Sequence, residues 1–217
     1  VEACGYTPVK DVLAYQVRPD FEAPAIMNRL AQRVQDKVVV RSLRRKELAR
    51  ETAVMLEIFN DAWARNWGFV PLVQDEFLET VKTLTLLMPD DYVQIAEFEG
   101  RPAAFIVALP NINEATRDLA GKLLPFGWAK LLWRLKIRHP HTARVPLMGV
   151  KQEFQHSRLG PTLAFLVIDA VRKALHARGV TNVEMGWILE DNEGMRNIIE
   201  TIGGEAYKRY RLYEKSL

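Results

Sequence analysis

The stretch PLMGVKQEFQHSRLGPTLAF, Pro146 to Phe165, governs how the rest of the chain reads. Its first residues end a β-rich run, ARVPLMGV, its middle is the polar loop KQEFQHSRLG, and its end opens a helix expected from Pro161 to about Arg178. Leu163, Leu166, Val167, Ala170 and Ala174 share one face of that helix. Gly179 stops it, and Pro161 at the first helical position with His176 and Arg178 in the last turn suits its two ends.

Downstream, VTNVEMGWI reads as a strand, EDNEGMRNIIETIG as a short helix and EAYKRYRLYEK as a closing strand. Upstream, DYVQIAEFEG and RPAAFIVALP face each other across Gly100 as a hairpin. The segment between hairpin and loop, NINEATRDLAGKLLPFGWAKLLWRLKIRHPH, is helical with breaks at Gly121, Pro125 and Pro140. Earlier still come the strand KVVVRSL, a helix in which Leu48, Met55, Phe59 and Ala62 recur at helical spacing with Ser42 as its N-cap, and a second helix ending before Pro89. The order is strand, two helices, hairpin, insert, strand, helix, strand, helix, strand.

A chain of 217 residues, 48% apolar and 26% charged, has enough material for one globular core. The lone Cys4 excludes an internal disulfide and cannot hold zinc by itself, which points to a reducing cytoplasm. No metal-binding cluster stands out, and the apolar runs stop short of the roughly 20 residues a membrane span needs. Standard DNA- and RNA-binding motifs are absent, so nucleic acid is not an expected partner. The net charge of +3 is unevenly spread: Arg117, Lys122, Lys130, Arg134, Lys136, Arg138 and Arg144 crowd one stretch, the insert and the start of the strand after it. Such a face is ordinarily just solvated, yet it also suits a phosphate-rich ligand, an acidic acyl carrier protein or an anionic membrane surface.

This order, with VKQEFQHSRLGPTL at the strand-to-helix turn, resembles the GNAT superfamily of acyl-CoA-dependent N-acyltransferases. EDNEGMRNIIETIGG is similar to that family's late helix, and NDAWARNWGFVPL with WILEDN resembles an uncharacterised bacterial subgroup. The resemblance covers roughly Val38 to the C-terminus. It implies an α/β (α+β) fold with a mixed, mostly antiparallel central sheet flanked by helices and interrupted by a helical insert. It also implies acetyl-CoA or another acyl-CoA as substrate, with a small-molecule amine as acceptor. Backbone N–H groups of the loop and first helical turn would converge on the pyrophosphate, aided by the helix dipole.

By that resemblance Gln155, His156, Ser157, Arg158, Leu159 and Gly160 occupy the cofactor motif. Gly149 permits the bulge that splays two strands, Gly149 and Val150 supply oxyanion donors, and Asn192 lies near the pantetheine arm. The sequence departs from the family pattern in the cofactor motif and in the chemistry. Arg158 replaces the motif's first glycine, which costs about 1 to 2 kcal/mol if its backbone is left-handed, and Pro161 removes one N–H. Ile199 occupies the position where the family commonly has a Tyr proton donor, leaving Tyr207, Tyr210 or Tyr213 as substitutes, with Tyr210 preferred. Glu184, sharing a strand face with Gly186, is the first candidate for general base, ahead of Glu190, Asp191 and His156. Asp191 equally suits capping the next helix. The rival reading is a catalytically silent module that binds an acyl thioester or lipid, or braces a partner half.

One further pattern concerns domain organisation. VEACGYTPVKDVLAY (1–15) aligns without gaps on IETIGGEAYKRYRLY (199–213), with Glu2 over Glu200, Gly5 over Gly203, Lys10 over Lys208 and Tyr15 over Tyr213. Either the match is accidental, or residues 1–17 are the final strand of a preceding, missing GNAT-like half, 18–36 a linker and short helix, and 37–217 the GNAT-like domain.

Overall fold

The structure, a computed structural model, describes residues 1–215. Its strands are β1 (Thr7–Val17), β2 (Val38–Ser42), β3 (Val93–Phe98), β4 (Arg101–Pro110), β5 (Thr142–Val150), β6 (Asn182–Leu189) and β7 (Glu205–Glu214). They form one sheet in the order β2-β3-β4-β5-β6-β1-β7, in which β5 and β6 alone run parallel. The helices are α1 (Ala25–Val34), α2 (Leu48–Trp63), α3 (Gln74–Leu87), α4 (Ile112–Thr116), α5 (Gly127–Trp133), α6 (Gln152–Gln155), α7 (Leu159–His176) and α8 (Glu193–Thr201).

The β3–β4 hairpin turns on Glu99 and Gly100, whose φ values of 49° and 78° are the two consecutive left-handed residues a tight two-residue turn requires. Ala103 to Ala108 are all buried, so both faces of β4 are covered, and its nearly continuous apolar run follows from that. Helix α7 packs on β3 and β4, while α2 packs on β4 and β5. The buried face of α7 is turned from the expected stripe: Leu163 and Val167 are buried together with Phe165, Ile168, Val171 and Leu175, while Leu166, Ala170 and Ala174 are only partly covered.

Three local expectations are corrected. Ser42 does not cap α2: it ends β2, its hydroxyl accepts from Gln94 at 3.1 Å, and a 3-10 turn at Arg45–Glu47 precedes the helix. Helix α7 begins at Leu159, so Pro161 is its third residue rather than its first; no helical hydrogen bond is lost, because first-turn N–H groups have no intrahelical partner. The cap of α8 is Asn192, whose Oδ1 accepts from Met195 N–H at 3.1 Å, and not Asp191. In the insert, Asn111 caps α4 and the helix continues past α5 as a wider π turn at Arg134–Arg138. Strand β1, from the segment read as a preceding unit's tail, lies inside this sheet between β6 and β7.

Candidate functional site

Strands β5 and β6 pair in parallel from Thr142–Asn182 to Val145–Met185 and then separate, although β5 continues to Val150 and β6 to Leu189. The registers on their outer sides show why. Val107 pairs with Leu147 but Leu109 with Arg144, so β5 carries an extra residue at Val145–Pro146. Leu13 pairs with Ile188 but Tyr15 with Met185, so β6 carries an extra residue at Gly186–Trp187. Two bulges at one level bend the strands apart. Pro146 offers no N–H to bridge the gap. A side chain at Gly186 would come within 3.2 Å of the Leu13 carbonyl and the Ala14 Cα. The bulge expected at Gly149 therefore lies earlier in β5; Gly149 instead allows close packing, since a Cβ there would meet Ala62 and Phe105 at 3.1 Å.

The opening is a cavity of about 540 Å³ with an apolar, aromatic wall that includes Trp63, Trp67, Met148, Trp187 and Ile198. Its size is that of an ordinary small-molecule pocket. Backbone register decides what faces it. Lys151 N–H donates to Ala103 on β4, so in β5 the alternate residues Leu147 and Gly149 also face β4, and Met148 and Val150 face the opening. The two carbonyls on that side are already engaged: Trp63 Nε1–H donates to Met148 O at 2.9 Å and Gln155 Nε2 donates to Val150 O at 2.7 Å. The Met148 and Val150 N–H groups have no strand opposite them. This stretch of β5 thus turns two N–H donors to the opening, and its own two carbonyls on that side are already bonded.

Of the residues singled out in the sequence, Gly149, Val150, Gln155, His156, Gly160 and Asn192 line this cavity. Ser157, Arg158 and Leu159 belong to the same loop but not to the wall. Arg158 sits at φ −62°, ψ −17°, so the left-handed strain considered for it does not arise. Gly160 is needed for space, because a Cβ would lie 2.6 Å from the Phe154 carbonyl. The main-chain donors here are partly used by the protein itself: Ser157 Oγ accepts from Leu159 N–H at 3.2 Å, and Ser157 O accepts from Gly160 N–H at 3.3 Å.

Glu184 and Tyr210 lie elsewhere. Glu184 accepts from the Tyr207 hydroxyl, with Arg144 Nε at 3.2 Å and Lys208 Nζ at 3.7 Å. Tyr207 is raised above the ordinary phenol range, by burial first and then by its bond to Glu184. Tyr210 packs edge-on against Trp187 at 5.6 Å, and Tyr213 donates to Glu2. Ile199 is fully buried. Inside the cavity, Asp191 is held below the usual carboxylate range by a hydrogen bond from Lys10 at 2.5 Å. That leaves His156, exposed to solvent, as the wall's imidazole. Trp63, Arg65, Asn66, Trp67 and Trp187 are wall residues that the sequence reading did not single out; the tryptophans closely spaced around the end of α2 were the available signal. Among the described residues no group of three or more His, Cys, Asp or Glu is placed to hold a metal.

The sheet order, the parted parallel pair and the strand–loop–helix beneath it are those of the GCN5-related N-acetyltransferases, and the chain has that fold. A crystal structure of such an enzyme from Sphaerobacter thermophilus superposes with a TM-score of 0.61 at 15% identity, over 98% of this chain and 53% of that one. The likeness therefore reaches β1 as well, beyond the Val38 boundary read from the sequence. Over its whole length the chain is 50% identical to Protein YghO of Escherichia coli (strain K12) and 43% identical to the Bacterial ceramide synthase of Caulobacter vibrioides (strain NA1000 / CB15N). It spans 56% and 57% of those two proteins, respectively. No protein-family model matches it.

Proposed function

We propose that this chain is the acyl-transferring part of an N-acyltransferase that moves an acyl group from a CoA or carrier-protein thioester to an amine. The observation that carries this is the parted β5–β6 pair, with Met148 and Val150 N–H facing the opening and the neighbouring carbonyls already bonded. Such a wall is complementary to a carbonyl oxygen, and more so to the oxyanion that forms when an amine attacks it. The amine nitrogen bonds to the thioester carbon, its proton passes to His156 directly or through water, and the C–S bond breaks to release the thiol. A thiol of pKa about 8.5 leaves tolerably as thiolate, so the loss of a tyrosine at Ile199 does not forbid the step.

The size and apolar wall of the cavity suit the acyl-pantetheine end of the donor. The diphosphate fits less fully, because Ser157 occupies the Leu159 N–H and Pro161 has none; the exposed Arg158 side chain is the group left to meet it by charge-assisted hydrogen bonds. For the acceptor, the apolar and tryptophan-rich wall suits a long alkyl chain, and the name of the Caulobacter relative points to the amine of a long-chain amino alcohol. Lipid substrates also give the insert a role. Leu124, Phe126, Trp128, Trp133 and Ile137 are exposed there, beside Lys122, Lys136 and Arg138, a combination suited to an anionic membrane surface or acidic acyl carrier protein. No helix among the described residues is long and apolar enough to cross a membrane, and the proposed place of action is the cytoplasmic side.

A second reading, a silent module that binds a thioester without turnover, is favoured by the partly filled diphosphate cradle and by Ile199. Thiol release from acetyl- and palmitoyl-CoA, measured against a panel of short and long-chain amines, separates the two. The expected outcome is fastest release with palmitoyl-CoA and a long-chain amino alcohol; saturable binding without release supports the silent module, and neither binding nor release contradicts both.

A further inference from the structure

The first and last strands are arranged as two copies of one element. The sequence alignment of 1–15 on 199–213 sets an offset of 198 residues. Applying that offset to the β1–β7 pairing returns the same pairing. Thr7 pairs with Glu214 and Gln16 with Glu205; Pro8 with Tyr213 and Tyr15 with Ala206; Lys10 with Leu212 and Ala14 with Lys208; Asp11 with Arg211 and Leu13 with Arg209. Val12 pairs with its own counterpart, Tyr210. The irregularities obey the rule too: the residue skipped in β1 is Val9 and that in β7 is Tyr207, its counterpart.

Side chains and turns repeat as well. Tyr15 donates to Glu200 at 2.9 Å and Tyr213 donates to Glu2 at 3.2 Å, the same bond with the roles exchanged. Gly5 and Gly203, at φ 79° and 83°, end a helical turn before each strand. A local twofold axis through the Val12–Tyr210 pair accounts for every one of these correspondences.

The surroundings of the two strands break the symmetry. β1 is paired on both sides, and Ala14, Tyr15 and Val17 are buried; β7 is paired only with β1 and is exposed along nearly all of its length. Val1 is 70% exposed, whereas its counterpart Ile199 is fully buried. A long open edge of this kind is a pairing site that folded proteins ordinarily cover.

We propose that the free edge of β7 receives a strand from a second unit of this fold that precedes residue 1 in the same protein. The strand is that unit's counterpart of β6, and residues 1–17 are that unit's own last strand. Each unit's β6 then pairs with the other's last strand, and one sheet runs through both. The span of only 56% and 57% of the two curated relatives leaves room for such a unit.

The test is hydrogen exchange, resolved by residue, on the full-length protein. The expected result is that β7 amides facing away from β1 exchange at least about 100-fold more slowly than in an open strand, independently of protein concentration. Fast exchange at those amides overturns the proposal, as does protection that grows with concentration, which assigns the edge to a second copy. A full-length protein that begins at Val1 overturns it as well. Val1→Asp supplies an independent readout: a clear fall in the Tm of the full-length protein is expected if Val1 lies in the other unit's core, and an unchanged Tm contradicts this.

Discussion

Below Val145 and Met185, strands β5 and β6 are an ordinary parallel ladder; above them the same strands border an open cavity. In the ladder, donors and acceptors satisfy one another. Above it they are treated unequally, with the Met148 and Val150 carbonyls taken by Trp63 and Gln155 and the matching N–H groups left facing the opening. Buried main-chain groups are nearly always satisfied, so a wall with its acceptors bonded and its donors open is complementary to a ligand oxygen. One bulge in each strand makes the difference.

The sharpest way to break this contrast uses proline in adjacent residues. Val150→Pro removes a donor that faces the cavity and no ladder bond, so kcat is expected to fall about 100- to 1,000-fold with Tm little changed. Gly149→Pro removes a donor that faces β4, and the expected outcome is loss of folding, read by circular dichroism. Similar behaviour of the two variants would contradict the register argument. Next in size, His156→Ala is expected to lower kcat about 100-fold while leaving thioester binding, measured by calorimetry, within a factor of about three. Trp63→Phe leaves the Met148 carbonyl without a partner, which should cost about 1 to 3 kcal/mol in chemical denaturation. The smallest effect is expected for Glu184→Gln, under about three-fold in kcat, because Glu184 sits among Arg144, Tyr207 and Lys208 outside the cavity wall.

The sequence made the architecture legible where local patterning and tertiary structure agree. Hairpin, long helix and closing strands all carry their own periodicity and glycine stops, and the loop glycines fall at the cavity. Two kinds of information were less accessible. Ser42 has the chemistry of a cap, but a tertiary partner, Gln94, claims its hydroxyl. Glu184 has the right residue type on the right strand, and the cations brought to it by β5 and β7 are distant in sequence. The bulges lie in the pairing of four strands, so neither shows in any one segment; Gly149 attracted attention as the visible glycine, while the break rests on Pro146 and Gly186.

The most direct test of the proposed oxygen-binding wall is an amide NMR titration with a 2-oxoalkyl-CoA, a non-hydrolysable thioether that keeps a carbonyl oxygen. The expected result is that the Met148 and Val150 N–H signals shift most, to lower field, and that those of Leu147 and Gly149 shift little. Saturable binding with all four unmoved, or with the ladder-facing pair moving instead, would contradict it.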